Sequence, residues 1–466
     1  MTDIPYFFSM QESTARTDID DESTEKVASP ETLSVWGLAW PSILANILYA
    51  SVGVVALKAV GNLGTDAVAA VGTGGRIFFV IQSIMMAIST GTTALVARAY
   101  GARRYQEASQ VLYDSILISI FLSFISIFVI WVAGEDLMSL FGLEAEAKDL
   151  AVDYLKVLIL FAPAFGVSIV QGAAIRAAGD VKTPLYLGLI QNIINIFLLI
   201  GFVNGQFGFP ELGVVGAAYA GGISFAIGAI LGILVWVSRI ITIPLPKLAS
   251  FSFSRFRELI HVSTPAGLEQ GVFQLGLLLY FWIISLYGNA PIAAYNVGIN
   301  ILMLSFMVGQ GFTVAGATLT GQFIGAENPK EAKRSGWRSA GLTMVSMGIL
   351  GIVLALASRP IASFFVDDPE VIRLTVLFVW LLGIMQPLMA LEFALGGALR
   401  GAGDTKSPLY IVTISLIFFR LTFAGLFVWL NFPIEYIFGS LIIDYIVKGI
   451  LFTYRFESGR WIKLKT

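Results

Sequence analysis

A thirteen-residue segment that returns at a fixed distance constrains this chain more than any other feature of it. Ala174-Ile175-Arg176-Ala177-Ala178-Gly179-Asp180-Val181-Lys182-Thr183-Pro184-Leu185-Tyr186 comes back 224 positions later as Ala398-Leu399-Arg400-Gly401-Ala402-Gly403-Asp404-Thr405-Lys406-Ser407-Pro408-Leu409-Tyr410, with nine of the thirteen positions identical. The same ungapped offset pairs Pro41 with Pro265, Gly101-Ala102 with Gly325-Ala326, Glu107-Ala108 with Glu331-Ala332, and Pro163 with Pro387. Chance does not hold one offset over such a span, so the chain is two copies of one structural unit. In an apolar protein, two copies imply two lobes with a path between them.

The medium follows from composition. Hydrophobic residues make up 57% and charged residues 13%, against roughly 45–50% and about 25% in soluble domains. Apolar runs longer than about 18 residues read as membrane spans. Twelve are found, near 36–57, 68–96, 110–133, 152–175, 184–204, 213–238, 260–286, 292–320, 336–358, 371–398, 408–430 and 434–454. Basic residues orient them. With the N-terminus cytoplasmic, the inner segments hold Arg98, Arg103, Arg104, Arg176, Lys182, Arg239, Lys330, Lys333, Arg334, Arg400, Lys406, Arg455 and Arg460 among others. The outer connections hold only Lys58, Lys148 and Arg359. That bias places both termini in the cytoplasm and the protein in the cell (inner) membrane as a multi-pass chain. The expected fold is an all-α polytopic membrane protein with twelve transmembrane helices in two six-helix lobes. Six spans per copy make the repeat parallel, with a pseudo-twofold axis along the membrane normal.

The expected organisation is an acidic, disordered cytoplasmic tail over 1–35, an N-terminal lobe over 36–238 and a cytoplasmic linker over 239–257. A C-terminal lobe over 258–456 and a basic tail over 457–466 complete it. The first 35 residues lack the basic start and apolar core of a signal peptide. With no cysteine and one histidine, thiolate chemistry and His/Cys metal clusters are excluded. No Gly-Lys-Ser/Thr phosphate loop is present, so ATP hydrolysis does not power this chain and no enzyme activity is expected. The basic residues serve topology, which argues against nucleic-acid binding. Partners are the bilayer and a small-molecule substrate, the expected state is a monomer, and no cofactor is required beyond a transported Na+ or H+.

The repeated Arg-x-x-Gly-Asp-x-Lys-(Ser/Thr)-Pro segment sits where a span ends at the inner face and the next begins. Gly179 and Gly403 suit helix C-caps, Asp180 and Asp404 suit turns, and Pro184 and Pro408 suit first helical turns. Further along are Pro265-Ala266-Gly267-Leu268-Glu269-Gln270, Gly321-Gln322-Phe323-Ile324-Gly325-Ala326 and Leu391-Glu392-Phe393 ahead of the second motif copy. Together with the spans and the proline spacing, these segments resemble the bacterial branch of the multidrug and toxic compound extrusion (MATE) family, over roughly residues 34–456. The resemblance implies a two-lobed antiporter, driven by protons or sodium ions, that exports organic compounds.

Ionisable residues inside the spans are independent pointers to function, because a charge in hydrocarbon is retained mainly for pairing or transport. Glu269 lies one turn after Pro265, whose ring frees the carbonyl of His261; Glu392 lies five residues after Pro387. Both are candidate cation-coupling residues, with Arg400 a possible partner for Glu392 and hydrogen bonds from Gln270, Gln274 or a neighbouring helix possible for Glu269. Asp444 and Lys448, four apart, read as an intrahelical ion pair joined by Arg420. Pro41, Pro163, Pro265 and Pro387 are expected helix kinks. Asn46, Arg76, Gln270, Gln274 and Asn300 are the candidate substrate contacts.

The offset shows that the charges are not symmetric. Glu269 maps to Ala45 and Glu392 to Ser168, while Lys58 and Arg76 map to Trp282 and Asn300. Many members of the resembled family carry an aspartate near the outer end of the first span, where this chain has Ala56. Coupling is therefore expected in the C-terminal lobe. The alternative function is a flippase for a lipid-linked or anionic amphiphilic precursor, since Lys58 and Arg76 would suit an anionic headgroup.

Overall fold

The computed structural model describes residues 30–246 and 251–464. The acidic tail expected over 1–35 falls almost wholly outside them, apart from a 3-10 turn at Pro30–Thr32 and the approach to the first helix. The N-terminal lobe comprises α1 (Val35–Gly61), α2 (Thr65–Gly101), α3 (Tyr105–Ser139), α4 (Ala145–Ile159), α5 (Ala162–Ala177), α6 (Lys182–Asn204) and α7 (Gly213–Val237). The C-terminal lobe comprises α8 (Phe253–Ser285), α9 (Asn289–Gly325), α10 (Pro329–Leu356), α11 (Ser358–Phe365), α12 (Pro369–Gly401), α13 (Lys406–Thr413), α14 (Thr422–Trp429) and α15 (Ile434–Glu457). A π-helical segment, Ile414–Leu421, joins α13 to α14. Among the described residues eleven helices are long and apolar enough to cross a membrane, or twelve with the bent pair α4–α5 taken as one span.

The repeat is written into the boundaries. Helix α2 and helix α9 begin and end 224 positions apart, as do the α4–α5 pair and α12. Left-handed backbone recurs at the same offset at Gly64 and Gly288, Arg103 and Glu327, and Gly179 and Gly403. Local chemistry explains why these points recur. Asp180 Oδ1 accepts from the amides of Lys182 (3.1 Å) and Thr183 (3.0 Å), and Asp404 Oδ1 accepts from that of Ser407 (3.2 Å). Each aspartate thus satisfies amides that the first turn of a helix leaves unpaired. Ser34 and Asp368 cap α1 and α12 in the same way.

The lobes have separate cores, one around Phe78, Phe165 and Phe225, the other around Tyr280, Tyr295, Phe378 and Phe438. They meet through α1 on α9 and α2 on α8, two contacts that the pseudo-twofold axis exchanges. The close approaches cluster in the helix halves nearest the basic face. A side chain on Gly101 would run into the backbone of Gln322, and one on Gly325 into that of Arg98. Thr318 Oγ1 donates to the Arg176 carbonyl (3.2 Å) and Gln322 Nε2 to that of Ala177 (2.7 Å). Midway along the helices Asn46 Nδ2 donates to the Met307 carbonyl (3.2 Å). Beyond it, toward the opposite face, no inter-lobe hydrogen bond occurs among the described residues. The two lobes are therefore sealed on the basic face.

Three expectations need adjustment. The span near 152–175 is two helices bent by 53°, with Pro163 in the first turn of α5, where its missing N–H costs nothing. Its mate Pro387 lies inside an unbroken α12, and Pro41 and Pro265 likewise lie inside α1 and α8. Only the Pro163 site is a break. Phe161 occupies that break and lays its ring on Gly222 of α7. The linker is shorter than 239–257, because Phe253–Arg257 already belong to α8. Within the segment expected as a basic tail, Trp461, in the 3-10 turn Arg460–Lys463, is completely buried and stacks on Phe456 at 4.8 Å.

Candidate functional site

The C-terminal lobe holds six ionisable side chains in its interior, as a pair, Glu269 and Arg400, and a chain of four, Glu392, Lys448, Asp444 and Arg420. Helix α12 supplies Glu392 and, two turns on, Arg400; α8 supplies Glu269; the π-helical segment supplies Arg420; α15 supplies Asp444 and Lys448. The Arg400 side chain lies back along its helix past Gly396, whose absent side chain leaves the room: a Cβ there would stand 3.2 Å from Nη1. Its fork closes on Glu269, with Nε 3.3 Å from Oε2 and Nη2 bound to Oε1. The Lys448 ammonium, with no exposed surface, stands between Glu392 (3.4 Å) and Asp444 (3.5 Å). Asp444 also takes Arg420. Aromatic rings line the chain: the Lys448 ammonium lies 4.7 Å from the Tyr445 ring, and the Arg420 guanidinium 5.7 Å from that of Tyr280.

Three acids meet three bases, so the cluster carries no net charge when all are ionised. That balance is what allows it to exist in a membrane-embedded core, where an unpaired ion is strongly disfavoured. The links are unequal. Arg400 grips Glu269 through two nitrogens, whereas Lys448 touches both of its carboxylates at ion-pair distance without a hydrogen bond to either. Arg420 rides on a π-helical turn, a local widening that occurs frequently at functional sites.

The sequence-level pairings divide accordingly. Asp444, Lys448 and Arg420 come together as expected. Arg400, considered for Glu392, instead holds Glu269, because its backward-lying side chain reaches α8; Glu392 takes Lys448, which the sequence pattern had assigned to Asp444 alone. Glu269 is satisfied by a neighbouring helix rather than by Gln270 or Gln274. The candidate substrate contacts are not gathered into one site. Asn46 spans the lobe interface, Asn300 donates to the Asn296 carbonyl of its own helix (2.9 Å), Gln270 is half-buried beside Glu269, and Gln274 and Arg76 are exposed. Among the described residues no cluster of His, Cys, Asp and Glu suited to a metal ion occurs.

The profile of the MatE family matches residues 41–200 and again 265–426, so each copy of the repeat is a family unit. This chain belongs to the MatE family. Among its relatives is a probable multidrug resistance protein NorM of Thermotoga maritima, 33% identical over 91% of this chain and 92% of that protein. Another is an uncharacterised transporter, YisQ, of Bacillus subtilis, 27% identical over 94% of this chain and 97% of its own. In fold, this MatE chain is similar to a MOP superfamily transporter from Pyrococcus furiosus, with a TM-score of 0.87 at 20% identity over 96% of this chain and 99% of that one. It is also similar to an outward-facing MATE family transporter, with a TM-score of 0.86 at 20% identity over 93% and 97%.

Proposed function

We propose that this MatE protein is a secondary antiporter that exports organic small molecules in exchange for protons, by alternating access of its two lobes. It acts as a multi-pass monomer of the cell membrane, with its basic face and both termini cytoplasmic and with no cofactor or nucleic-acid partner. The names of its relatives support efflux of organic compounds, and the basic-face seal supports an outward-open resting state. The observation that carries the coupling mechanism is the neutral six-residue cluster, present in the C-terminal lobe and absent from its structural copy.

Neutrality also favours a proton over sodium. A sodium ion entering this cluster would meet carboxylates already compensated by Arg400 and Lys448, whereas a proton needs one carboxylate oxygen. Protonation of Glu269 would leave the Arg400 guanidinium without its counter-charge. Removing one partner of a buried pair is worth about 3–5 kcal/mol, enough to shift a two-state equilibrium by orders of magnitude. The conformations must differ in how they treat that freed cation, and this difference is the coupling. The Pro265 ring, which removes a backbone hydrogen bond one turn before Glu269, makes α8 the element best able to respond. The test is flux of an organic dye in proteoliposomes with proton and sodium gradients imposed separately. Export driven by the pH gradient and indifferent to sodium is expected; export that follows only the sodium gradient overturns proton coupling.

A further inference from the structure

The N-terminal lobe contains the other half of the arginine arrangement, without its acid. Arg176 and Gly172 on α5 stand 224 positions before Arg400 and Gly396, and the arginines adopt the same pose. Arg176 Nη1 lies 3.1 Å from where a Gly172 Cβ would be, against 3.2 Å for Arg400 Nη1 and Gly396. In the C-terminal lobe that fork closes on Glu269. At the equivalent place on α1 stands Ala45. No acid lies within ion-pair distance of Arg176 among the described residues, and its guanidinium makes no hydrogen bond.

The space beside it also differs between the lobes. Gly396 faces the ring of Phe452, whose Cε1 lies 3.3 Å from the added Cβ; the mate of Phe452 is Gly228 of α7. Where the ring would be, the N-terminal lobe has polar groups. A Cβ on Gly228 would collide with Gln191 Oε1 and stand 3.2 Å from Ser168 Oγ. One turn on, Gly232 faces the Gln171 amide, whose oxygen and nitrogen are both without a hydrogen-bond partner although the residue is only 3% exposed. Arg176, Ser168 and Gln191 are half-buried, whereas Gln171 is buried.

A guanidinium fork lacking an acid, and two amides against a glycine-lined wall, match a planar monoanion with acceptor oxygens. We propose that Arg176, Gln171 and Gln191 form a carboxylate-binding subsite, and that the exported compounds include organic acids or zwitterions. The ligand carboxylate takes the place that Glu269 holds on Arg400, so substrate sits in one lobe and the coupling proton in the other. This assignment rests on the exporter reading above and names its substrate class.

The probes are a matched pair of dyes, rhodamine 110, which bears a free carboxylate, and its methyl ester rhodamine 123. Binding to purified protein is read by fluorescence polarisation, and gradient-driven flux by proteoliposome export. A charge-assisted hydrogen-bonded pair is worth roughly 1.5–3 kcal/mol, so wild type should bind the acid about ten- to hundredfold tighter than the ester. Arg176→Gln should bring the two affinities together by weakening the acid alone. Ala45→Glu should do the same without removing any pocket residue, because it rebuilds the ion pair of the other lobe and occupies the fork. Equal or tighter binding of the ester, binding of neither dye by wild type, or a preference unchanged in both folded variants overturns the subsite. Gradient-driven export without acid preference leaves the exporter reading intact and sinks the subsite. Acid preference in binding with no gradient-driven flux of either dye counts against the exporter reading instead.

Discussion

Glu269 and Arg400 are 131 residues apart in sequence and form the one two-pronged contact among the six ionisable residues, so loss of the Glu269 charge leaves the Arg400 guanidinium without its counter-charge. Glu269→Gln keeps the shape of the side chain but leaves Arg400 unpaired. It is expected to destabilise the protein by about 3–5 kcal/mol, measured by thermal unfolding in detergent, and to abolish gradient-driven export. Adding Arg400→Met should recover most of that stability and none of the export. Wild-type export by Glu269→Gln would place coupling elsewhere. Within the remaining four residues the partners predict a ranking. Asp444 holds both Arg420 and Lys448, whereas loss of Glu392 leaves Lys448 with Asp444. Asp444→Asn should therefore lower the unfolding temperature more than Glu392→Gln, and the reverse order would mean that Arg420 is compensated by a group other than Asp444.

At the scale of helices, the basic-face seal depends on small residues and on the ion pair of Arg255 with Asp114. Arg255, in the first turn of α8, reaches α3 of the other lobe, where Nε lies 2.6 Å from Asp114 Oδ2 and Nη1 lies 3.0 Å from Gln110 Oε1. Asp114 is 2% exposed in its side chain, so the pair is held largely out of water and its loss is felt more than that of a surface bridge. Gly101 and Gly325 let α2 and α9 cross backbone to backbone. A valine at Gly325 has nowhere to go unless the lobes part, since the obstructing atoms are backbone rather than flexible side chain. Gly325→Val and Asp114→Asn are both expected to open the basic face. The chain has no cysteine of its own, so single cysteines introduced on the basic-face ends of α2 and α9 report directly: reaction with a water-soluble maleimide should rise severalfold in either variant. Unchanged labelling in both would mean that the seal is held elsewhere.

Across the whole molecule, the second copy ends by reaching back to the first. The Arg98 guanidinium of α2 donates to the Leu464 carbonyl (3.0 Å), and Trp461, stacked on Phe456, belongs to the core cluster that also holds Phe452 and, from the other lobe, Leu38. A tryptophan so enclosed is worth about 3–5 kcal/mol on truncation to alanine. Trp461→Ala should lower the unfolding temperature clearly, while Lys463→Ala, at an exposed position, should not. Equal effects of the two would show that the C-terminal segment does not dock. The asymmetry of the lobes operates at this scale too. One scaffold, repeated, carries acids and bases in balance on one side and a cation without an acid on the other.

The fold was legible because its signals are short-range or strictly repeated. An apolar run long enough to span a bilayer must be helical, since no water is available to satisfy its backbone. The 224-residue offset then located both lobes and the recurring caps at Asp180 and Asp404. Asp444, Lys448 and Arg420 could be grouped because two of them lie one turn apart on one helix. Which helix faces which was not legible, because spans that are apolar all round carry no directional stripe. The choice of Arg400 for Glu269 and Lys448 for Glu392, the break at Phe161, and the isolation of Arg176 were decided only when the helices packed. In a medium of low dielectric the nearest opposite charge determines the state of an ion, and nearness between residues 131 apart is a property of the tertiary structure alone.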